Sequence, residues 1–185
     1  MEKYLKVMFD NKGANYEYQI DKVNIATTWD PSAKTPEEFG GFNFSTEDKI
    51  LRWLHRGDMI YDVIIPDDAE VILCNEEKGV YRTNKIIITN PRVITDELVL
   101  DLYHHTTLSD KIIAQCLITL LWRDRLDIAK YIVNDRVNCS NIDVFVSEFE
   151  SYASKDGHFS YEELGEKSKT IYNMLKYTQT TKDLA

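Results

Sequence analysis

The chain has 185 residues and a formal net charge of −9, with 43% hydrophobic and 29% charged residues. A sequence of this length can form one large domain, or a domain with a helical appendage, and can bury a real hydrophobic core. Its acidic balance argues against DNA, RNA and anionic membranes as main partners, because binding to phosphate groups normally requires a basic surface.

The first half of the sequence predicts β-strands. Three short β-prone runs come first, at residues 4–9, 16–20 and 23–28. Residues 29–41 have the composition of a loop, with two prolines and two adjacent glycines. In the stretch GFNFS that follows, the alternation places Phe42 and Phe44 on one face of a predicted strand.

A short helix is predicted next, with Ser45 as its N-cap and Asp48 in position to complete a capping box. Gly57 is the predicted end of this helix. Three more β-prone runs follow, at residues 59–66, 66–75 and 80–90, the last ending at Asn90-Pro91. Because turn residues separate them, these runs predict an antiparallel core.

From Thr95 the spacing of apolar residues becomes helical. Further helices are predicted after Ser109, around Ile128, around Ile142 and after Ser160. We therefore predict an α+β protein, in which a small and mainly antiparallel sheet carrying one short helix precedes an all-helical C-terminal half. The predicted division is a strand-rich domain over residues 1–92 and a helical region over residues 93–185 packed on it, with one single domain as the alternative.

The cysteines and the N-terminus indicate an intracellular protein. Cys74, Cys116 and Cys139 have no CxxC spacing and lie in or beside apolar segments, which predicts buried or half-buried thiols in a reducing compartment. No apolar core follows the first lysines, so no signal peptide is expected. No apolar run approaches the roughly 20 residues that span a bilayer.

The stretch SKDGHFSYEELGE resembles the second half of a calcium-binding EF-hand loop. If Gly157 takes the sixth position, then Asp156, Ser160 and Glu163 take the fifth, ninth and twelfth. Tyr152 then occupies the first position, which needs a carboxylate. We reject a calcium site on this ground and predict instead a turn followed by a capping box of Ser160 and Glu163.

The sequence carries no common nucleotide-binding or hydrolase motif, since GxGxxG, GxxxxGK[ST], GxSxG and HExxH do not occur in it. We therefore expect no cofactor and no bound metal. The adjacent His104 and His105 cannot converge on one metal ion from a helix. At a helix C-terminus they favour the imidazolium form, and His55 receives the same interpretation.

Five residues are candidates for binding. Trp29 lies in the long loop, where it either covers the edge of the sheet or contacts a partner. Phe42 and Phe44 share a strand face beside that loop. Arg82 and Lys85 have opposite parity in one predicted strand, so one of them could line a pocket.

Two blocks of sequence resemble a known family. The block GGFNFSTEDKILRWLHRGDMIYDVIIPDDAEV, continued by VYRTNKIIITNPR, resembles the N-terminal domain of ankyrin-repeat proteins of giant viruses, the Mimivirus and Megavirus group. The residues that carry this resemblance are Gly40, Gly41, Phe42, Phe44, Trp53, Gly57, Ile65, Pro66, Ala69, Val71, Lys85 and Ile86. The segment LDIAKYIVNDRVN is similar to the second helix of an ankyrin repeat, although no TPLHxA signature precedes it. The resemblance implies a short viral relative that lacks the repeat array and acts in the host cytoplasm.

Two functional hypotheses follow. The first is a non-enzymatic interaction module, whose helical half presents a surface to another protein or to a second copy. The alternative is a small-ligand or nucleotide-binding enzyme, with a pocket between residues 29–41 and the sheet, whose strand order is faintly similar to an ADP-ribosyltransferase sheet. A deep pocket with convergent polar groups and perturbed pKa values favours the alternative. A flat apolar patch on the helices favours the interaction module.

Overall fold

The computed structural model describes residues 3–13, 16–153 and 161–183. The chain divides into two compact units, Met1–Thr107 and Leu108–Ala185. The first unit contains a seven-stranded sheet and the second contains only helices in its described part. The predicted α+β class is therefore confirmed. The division falls after Thr107, whereas the sequence placed it after residue 92.

The first unit has seven strands, β1 (Tyr4–Met8), β2 (Val23–Ile25), β3 (Phe42–Thr46), β4 (Met59–Ile64), β5 (Val71–Asn75), β6 (Val80–Thr83) and β7 (Lys85–Val93). Its helices are α1 (Pro36–Phe39), a 3₁₀-helix (Glu47–Arg56) and α2 (Asp96–His104). The strand order is β2-β7-β4-β1-β3-β6-β5, and each pairing between these strands is antiparallel. β1 is thus the central strand.

The sheet curls until its two edges meet at Asn84. This residue alone separates β6 from β7, which lie four places apart in the strand order. Strands are about 4.8 Å apart, so a flat sheet could not accommodate this short connection. Asn84 bonds to both edges, since its carbonyl oxygen accepts from the amide of Ala26 at 2.9 Å and its side-chain oxygen accepts from the amide of Glu70 at 2.9 Å.

The curled sheet encloses an aromatic and aliphatic core. Its buried members are Met8, Tyr18, Phe42, Phe44, Tyr61, Val63, Ile86 and Ile88. The predicted shared face of Phe42 and Phe44 is confirmed, because both side chains are buried in this cluster. The 3₁₀-helix contacts β1 and buries Ile50, Leu51 and Leu54.

The short helix differs from its prediction at its start and in its type. Ser45 is not the N-cap, because β3 continues through Ser45 to Thr46, which takes that position. Asp48 does not complete a capping box with Ser45, and its side chain instead accepts a hydrogen bond from the Thr107 hydroxyl. The helix is a ten-residue 3₁₀-helix, and Gly57 is its C-cap, as predicted.

The run at residues 80–90 was predicted as one strand, and this prediction is wrong. It forms two strands, and β7 continues through Asn90 and Pro91 to Val93. The register against β4 shifts between Ile60 and Asp62, opposite Asn90 and Pro91. This bulge accommodates the proline, which cannot donate to a regular ladder, and the positive φ of 51° at Asn90.

Two other strand predictions also need correction. Residues 16–20 form isolated bridges, in which Glu17 pairs with Lys12 and Ile20 with Ile88, and not a strand. β5 lies at the edge of the sheet and exposes Val71 and Leu73, so it is not part of an antiparallel core. A strand with one neighbour buries less of its surface than a strand inside the sheet.

The second unit has four helices in its described part, α3 (Asp110–Trp122), α4 (Leu126–Arg136), α5 (Ile142–Ala153) and α6 (Tyr161–Asp183). α3 is its most buried helix. Arg136, at the end of α4, binds the start of α3. Its Nε donates to Asp110 Oδ1 at 2.6 Å, and its guanidinium also donates to the carbonyl oxygen of Leu108, just before α3, at 2.8 Å. α6 is interrupted at Gly165, where φ is 53°.

The three thiols differ in exposure. Cys116 is buried and Cys74 is half-buried, as predicted, whereas Cys139 is exposed. Cys139 follows the end of α4, where the chain turns on the surface. Among the described residues, no helix combines the length and the apolar character needed to cross a membrane.

Candidate functional site

A cavity of about 700 Å³ opens in the sheet where β1 separates from β3. These two strands pair only through Tyr4–Thr46 and Leu5–Ser45, whereas β1 pairs with β4 along its whole length. Residues 5–8 of β1 and residues 42–44 of β3 line the opening. We call this space the seam cavity.

The charge of the seam cavity is opposite to that of the chain. The sequence holds 31 Asp and Glu residues against 22 Lys and Arg. Within the described part of the chain, no Asp or Glu lines the cavity. Its basic lining residues are Lys6, Lys12, His55, Arg56 and Arg82. This distribution favours an anion inside the cavity.

Lys6 is the deepest of these groups, with only 9% of its surface exposed. Its ammonium nitrogen donates to the carbonyl oxygen of Asn43 at 2.5 Å and lies 5.2 Å from the centre of the Tyr18 ring. It therefore spans the gap between β1 and β3. Burial, and then the positive charges of Arg56 and Arg82, lower the pKa of Lys6 from 10.5 to about 7.

Three buried polar atoms at the cavity have no hydrogen-bond partner among the described residues: Asn43 Oδ1, Trp53 Nε1 and Arg82 Nε. Asn43 and Arg82 are opposite each other on β3 and β6. A terminal nitrogen of Arg82 donates to the carbonyl oxygen of Gly40 at 2.6 Å, which fixes the guanidinium. Buried polar atoms are normally paired, so these three are available to a ligand.

One side of the cavity is aromatic. The rings of Tyr16 and Tyr18 lie 4.9 Å apart, as do those of Tyr16 and Phe42, both in edge-to-face arrangements. Burial, and then the neighbouring Tyr16, raise the pKa of Tyr18, so its hydroxyl remains protonated. The cluster offers a planar ligand an apolar surface with edge and face contacts.

At the end of the 3₁₀-helix, a cationic stack surrounds Trp53. The guanidinium carbons of Arg52 and Arg56 lie 4.6 Å and 5.8 Å from its ring centre. The imidazolium interpretation of His55 is wrong, because burial, and then the charge of Arg56, lower its pKa to about 4. His55 is therefore neutral near pH 7, and the helix terminus does not outweigh these two effects.

The two adjacent glycines bring the long loop close to the sheet. A Cβ at Gly40 would lie 2.3 Å from the Thr28 carbonyl oxygen, and one at Gly41 would lie 2.7 Å from the Trp29 ring. Both have positive φ angles, of 65° and 69°. The Trp29 indole also donates to Glu70 Oε2 at 2.9 Å. Trp29 thus covers Gly41 and does not line the cavity.

The seam cavity brings together three of the five predicted binding residues, Phe42, Phe44 and Arg82. Trp29 lies beside it, and Lys85 lies elsewhere, where it pairs with Asp68 at 2.5 Å. Sequence reasoning missed Lys6. The run YLKVM did contain an indication, because Lys6 is its only charged residue. In a strand, Lys6 points to the same face as Tyr4 and Met8.

The rejected calcium loop lies largely outside the described residues. Asp156 and Ser160 lie outside the described residues, and the side chain of Glu163 is not described. In the described part of the chain, no group of three or more His, Cys, Asp or Glu residues could hold a metal ion.

A second, smaller cavity lies in the helical unit. It is a groove of about 420 Å³ between α4 and α6, which we call the helical groove. Its apolar lining residues are Val133, Val137, Met174 and Tyr177. Tyr177 exposes 74% of its surface, the highest value among the exposed large hydrophobic side chains of the described residues.

No family model, curated protein or solved structure matches this chain. The function must therefore be argued from the chemistry of the site itself. The resemblance to the giant-virus domain stays a prediction.

Proposed function

We propose that the first unit binds a small anionic ligand with a planar ring in the seam cavity. The observation that carries this proposal is the cavity lining, which has four Lys or Arg side chains and, within the described part of the chain, no carboxylate. An anion entering such a site loses water but gains charge-assisted hydrogen bonds. The size also fits, because ligand pockets usually measure roughly 300–1,000 Å³.

The positions of the cations indicate how a ligand would lie. Lys12 and Arg56 are exposed, Arg82 is half-buried, and Lys6 is deep. The permanent positive charges of Arg56 and Arg82 thus lie between the surface and the buried amine of Lys6, which favours binding of the anionic group beside these two guanidinium groups. A planar ring would then pack against the aromatic side formed by Tyr16 and its neighbours.

Phosphorylated compounds with an aromatic ring, such as nucleotides, combine these two properties. The free Arg82 Nε can donate to a phosphate oxygen, and the Trp53 indole can donate to a second acceptor. Asn43 Oδ1 can accept from a ring amino group. From the sequence, a deep pocket with convergent polar groups and perturbed pKa values was expected to favour a small-ligand binder. The seam cavity has these properties and therefore supports the small-ligand hypothesis.

Isothermal titration calorimetry tests the proposal with AMP, pyridoxine 5′-phosphate and inorganic phosphate, and with adenosine as the neutral comparison. We expect at least one ring-bearing phosphate to bind more tightly than both phosphate and adenosine. Arg82→Gln should weaken this binding about tenfold or more, since a hydrogen bond to a charged group contributes roughly 1.5–3 kcal/mol.

Lys85→Gln is the matched control, because it removes a cation from the same stretch of chain but outside the cavity. Its affinity should stay close to that of the wild type. If no ring-bearing phosphate binds better than adenosine, or if both variants lose affinity equally, the proposal is wrong.

A second proposal retains the interaction module and places it in the helical unit. The supporting observation is the helical groove, whose most exposed member is Tyr177. Exposed apolar patches often bind other proteins. We propose a second copy of this chain as the partner, since a groove with a projecting tyrosine can be complementary to itself in a two-fold dimer.

Sedimentation equilibrium tests this second proposal. We expect a dimer that Tyr177→Lys converts to a monomer, while Tyr131→Lys, which alters an exposed tyrosine of α4 outside the groove, leaves the dimer intact. A monomer at all accessible concentrations would contradict it.

We also propose that this is a viral protein that acts in the host cytoplasm. The resemblance of the block around Gly40, Trp53 and Pro66 supports a viral protein related to the N-terminal domains of ankyrin-repeat proteins. It also supports action within the host cytoplasm. A fractionation of infected cells with an antibody to this chain would test both points.

A further inference from the structure

We propose that Lys6 is a nucleophile that forms an imine with the carbonyl group of an anionic ligand in the seam cavity, an inference that rests on the proposed function of that cavity. The ligand class is therefore narrower than an anion with a ring. It is an aldehyde or ketone that also carries a phosphate or carboxylate.

The position of Lys6 supports this role. Its side chain projects from the central strand into the aromatic core, and no carboxylate of the described residues lines the space around it. An ammonium group without a counter-ion is unfavourable in such surroundings. Burial therefore favours the neutral amine, which is the nucleophilic form.

The hydrogen bond of Lys6 leaves this nucleophile available. A neutral amine has two N–H donors and one lone pair, and the bond to the Asn43 carbonyl oxygen at 2.5 Å uses one N–H. It fixes the nitrogen at the lining of the cavity. The lone pair remains free to attack a bound carbonyl carbon.

Arg56 and Arg82 have two effects on the reaction. Their positive charges add to burial in lowering the pKa of Lys6 to about 7. They can also hold the anionic group of the ligand, so the charge that attracts the ligand keeps the amine deprotonated. A neighbouring cation is a known means of activating a lysine.

The reaction is balanced without an oxidant or reductant. The amine lone pair forms a carbon–nitrogen bond to the carbonyl carbon, and the carbonyl π electrons move to oxygen. The resulting carbinolamine loses the oxygen together with the two protons of the former amine, as one water molecule. The product is a neutral imine between Lys6 and the ligand.

Pyridoxal 5′-phosphate is a suitable probe, because it has an aldehyde, a planar ring and a phosphate. Pyridoxine 5′-phosphate has the same ring and phosphate but an alcohol in place of the aldehyde. We would treat the full chain with the aldehyde at about pH 8, reduce the imine with borohydride, and locate the modified lysines by peptide mass mapping. We expect Lys6 to react on the order of tenfold faster than the exposed Lys22 and Lys34, because its pKa of about 7 leaves most of the Lys6 amine neutral at this pH.

The unreactive analogue and two variants separate the possible outcomes. Pyridoxine 5′-phosphate should protect Lys6 but not Lys22. Lys6→Met should abolish the fast reaction and still bind pyridoxine 5′-phosphate, whereas Lys22→Met should react at Lys6 like the wild type. If pyridoxine 5′-phosphate binds and Lys6 reacts no faster than exposed lysines, the imine is excluded and the anion site stands. If the analogue does not bind and Lys6 is not modified, both proposals are wrong.

Discussion

Lys6 places an amine against the buried aromatic core of the first unit, 5.2 Å from the centre of the Tyr18 ring. Between pH 7 and pH 10.5 the unfolded chain holds a proton on this residue that the folded protein has lost. Folding therefore releases a proton in this range, and the free energy of unfolding rises with pH. Burial of this amine therefore destabilises the folded protein at neutral pH.

At this residue scale, we expect Lys6→Met to increase the free energy of unfolding at pH 7 by up to about 4 kcal/mol. The gain should shrink by about 1.4 kcal/mol per pH unit as the pH rises toward the pKa of an ordinary lysine. Urea unfolding of both proteins at three pH values measures it. Lys22→Met, at an exposed position, should show no such trend. A gain that is independent of pH would mean that packing, and not ionisation, is responsible.

Among the secondary-structure elements, the 3₁₀-helix ends at a glycine, Gly57, whose backbone lies directly against β1. A Cβ at Gly57 would lie 1.9 Å from the carbonyl carbon of Met8, on β1. The φ of 171° at Gly57 is extended backbone, so the requirement for glycine comes from space alone. Gly165 in α6 is the opposite case, with φ of 53° and no atom within 4 Å of an added Cβ.

These two glycines give a matched pair of predictions. Gly57→Ala should lower the free energy of unfolding by more than about 3 kcal/mol, because β1 must move and take the seam cavity with it. Gly165→Ala should cost less, about 1–3 kcal/mol, because φ of 53° with ψ of −131° is a backbone conformation that residues other than glycine rarely adopt. Chemical denaturation measures both. Equal losses would show that the contact with Met8 relaxes without strain.

Much of the element content could be predicted from the sequence. β1, β4 and the helices of the second unit have local apolar periods, and local periods identify an element without its neighbours. The division of residues 80–90 at Asn84 could not be predicted in this way. This division arises because Asn84 bonds to both edges of the sheet, at Ala26 and at Glu70, which are distant from each other in sequence. The continuation of β7 past Pro91 likewise depends on a bulge opposite β4.

The candidate site was predicted only where it depends on local pattern. The alternation of residues in β3 predicted that Phe42 and Phe44 share one face. Arg82 was a candidate for the cavity lining because it and Lys85 were predicted to point to opposite faces of one strand. Lys6 was missed because a lysine in a short strand usually points to water. Its inward position follows from the central place of β1, which only the strand order reveals.

At the scale of the whole molecule, the chain consists of two compact units. The seam cavity belongs to the first and the helical groove to the second. Each unit has its own core, built around the curled sheet or around α3. Units of this kind commonly unfold in separate steps.

We therefore expect differential scanning calorimetry to resolve two transitions. Lys6→Met should raise the melting temperature of one of them, by about 4–8 °C for each kcal/mol of stability that the variant gains. Tyr177→Lys, on the surface of the second unit, should leave that transition unchanged. A single two-state transition that both variants shift would contradict the separate unfolding of the two units.

The central place of β1 has a consequence for the time course of folding. Lys6 pairs with Tyr61, and Leu5 pairs with Ser45, so both neighbours of β1 are far along the chain. Pairings of this kind form late, because a long loop must close first. The amine thus stays hydrated and protonated until the sheet closes, and its proton leaves in a late step. Refolding followed with a pH indicator should show proton release together with the final change in tryptophan fluorescence, and not with the early formation of helix.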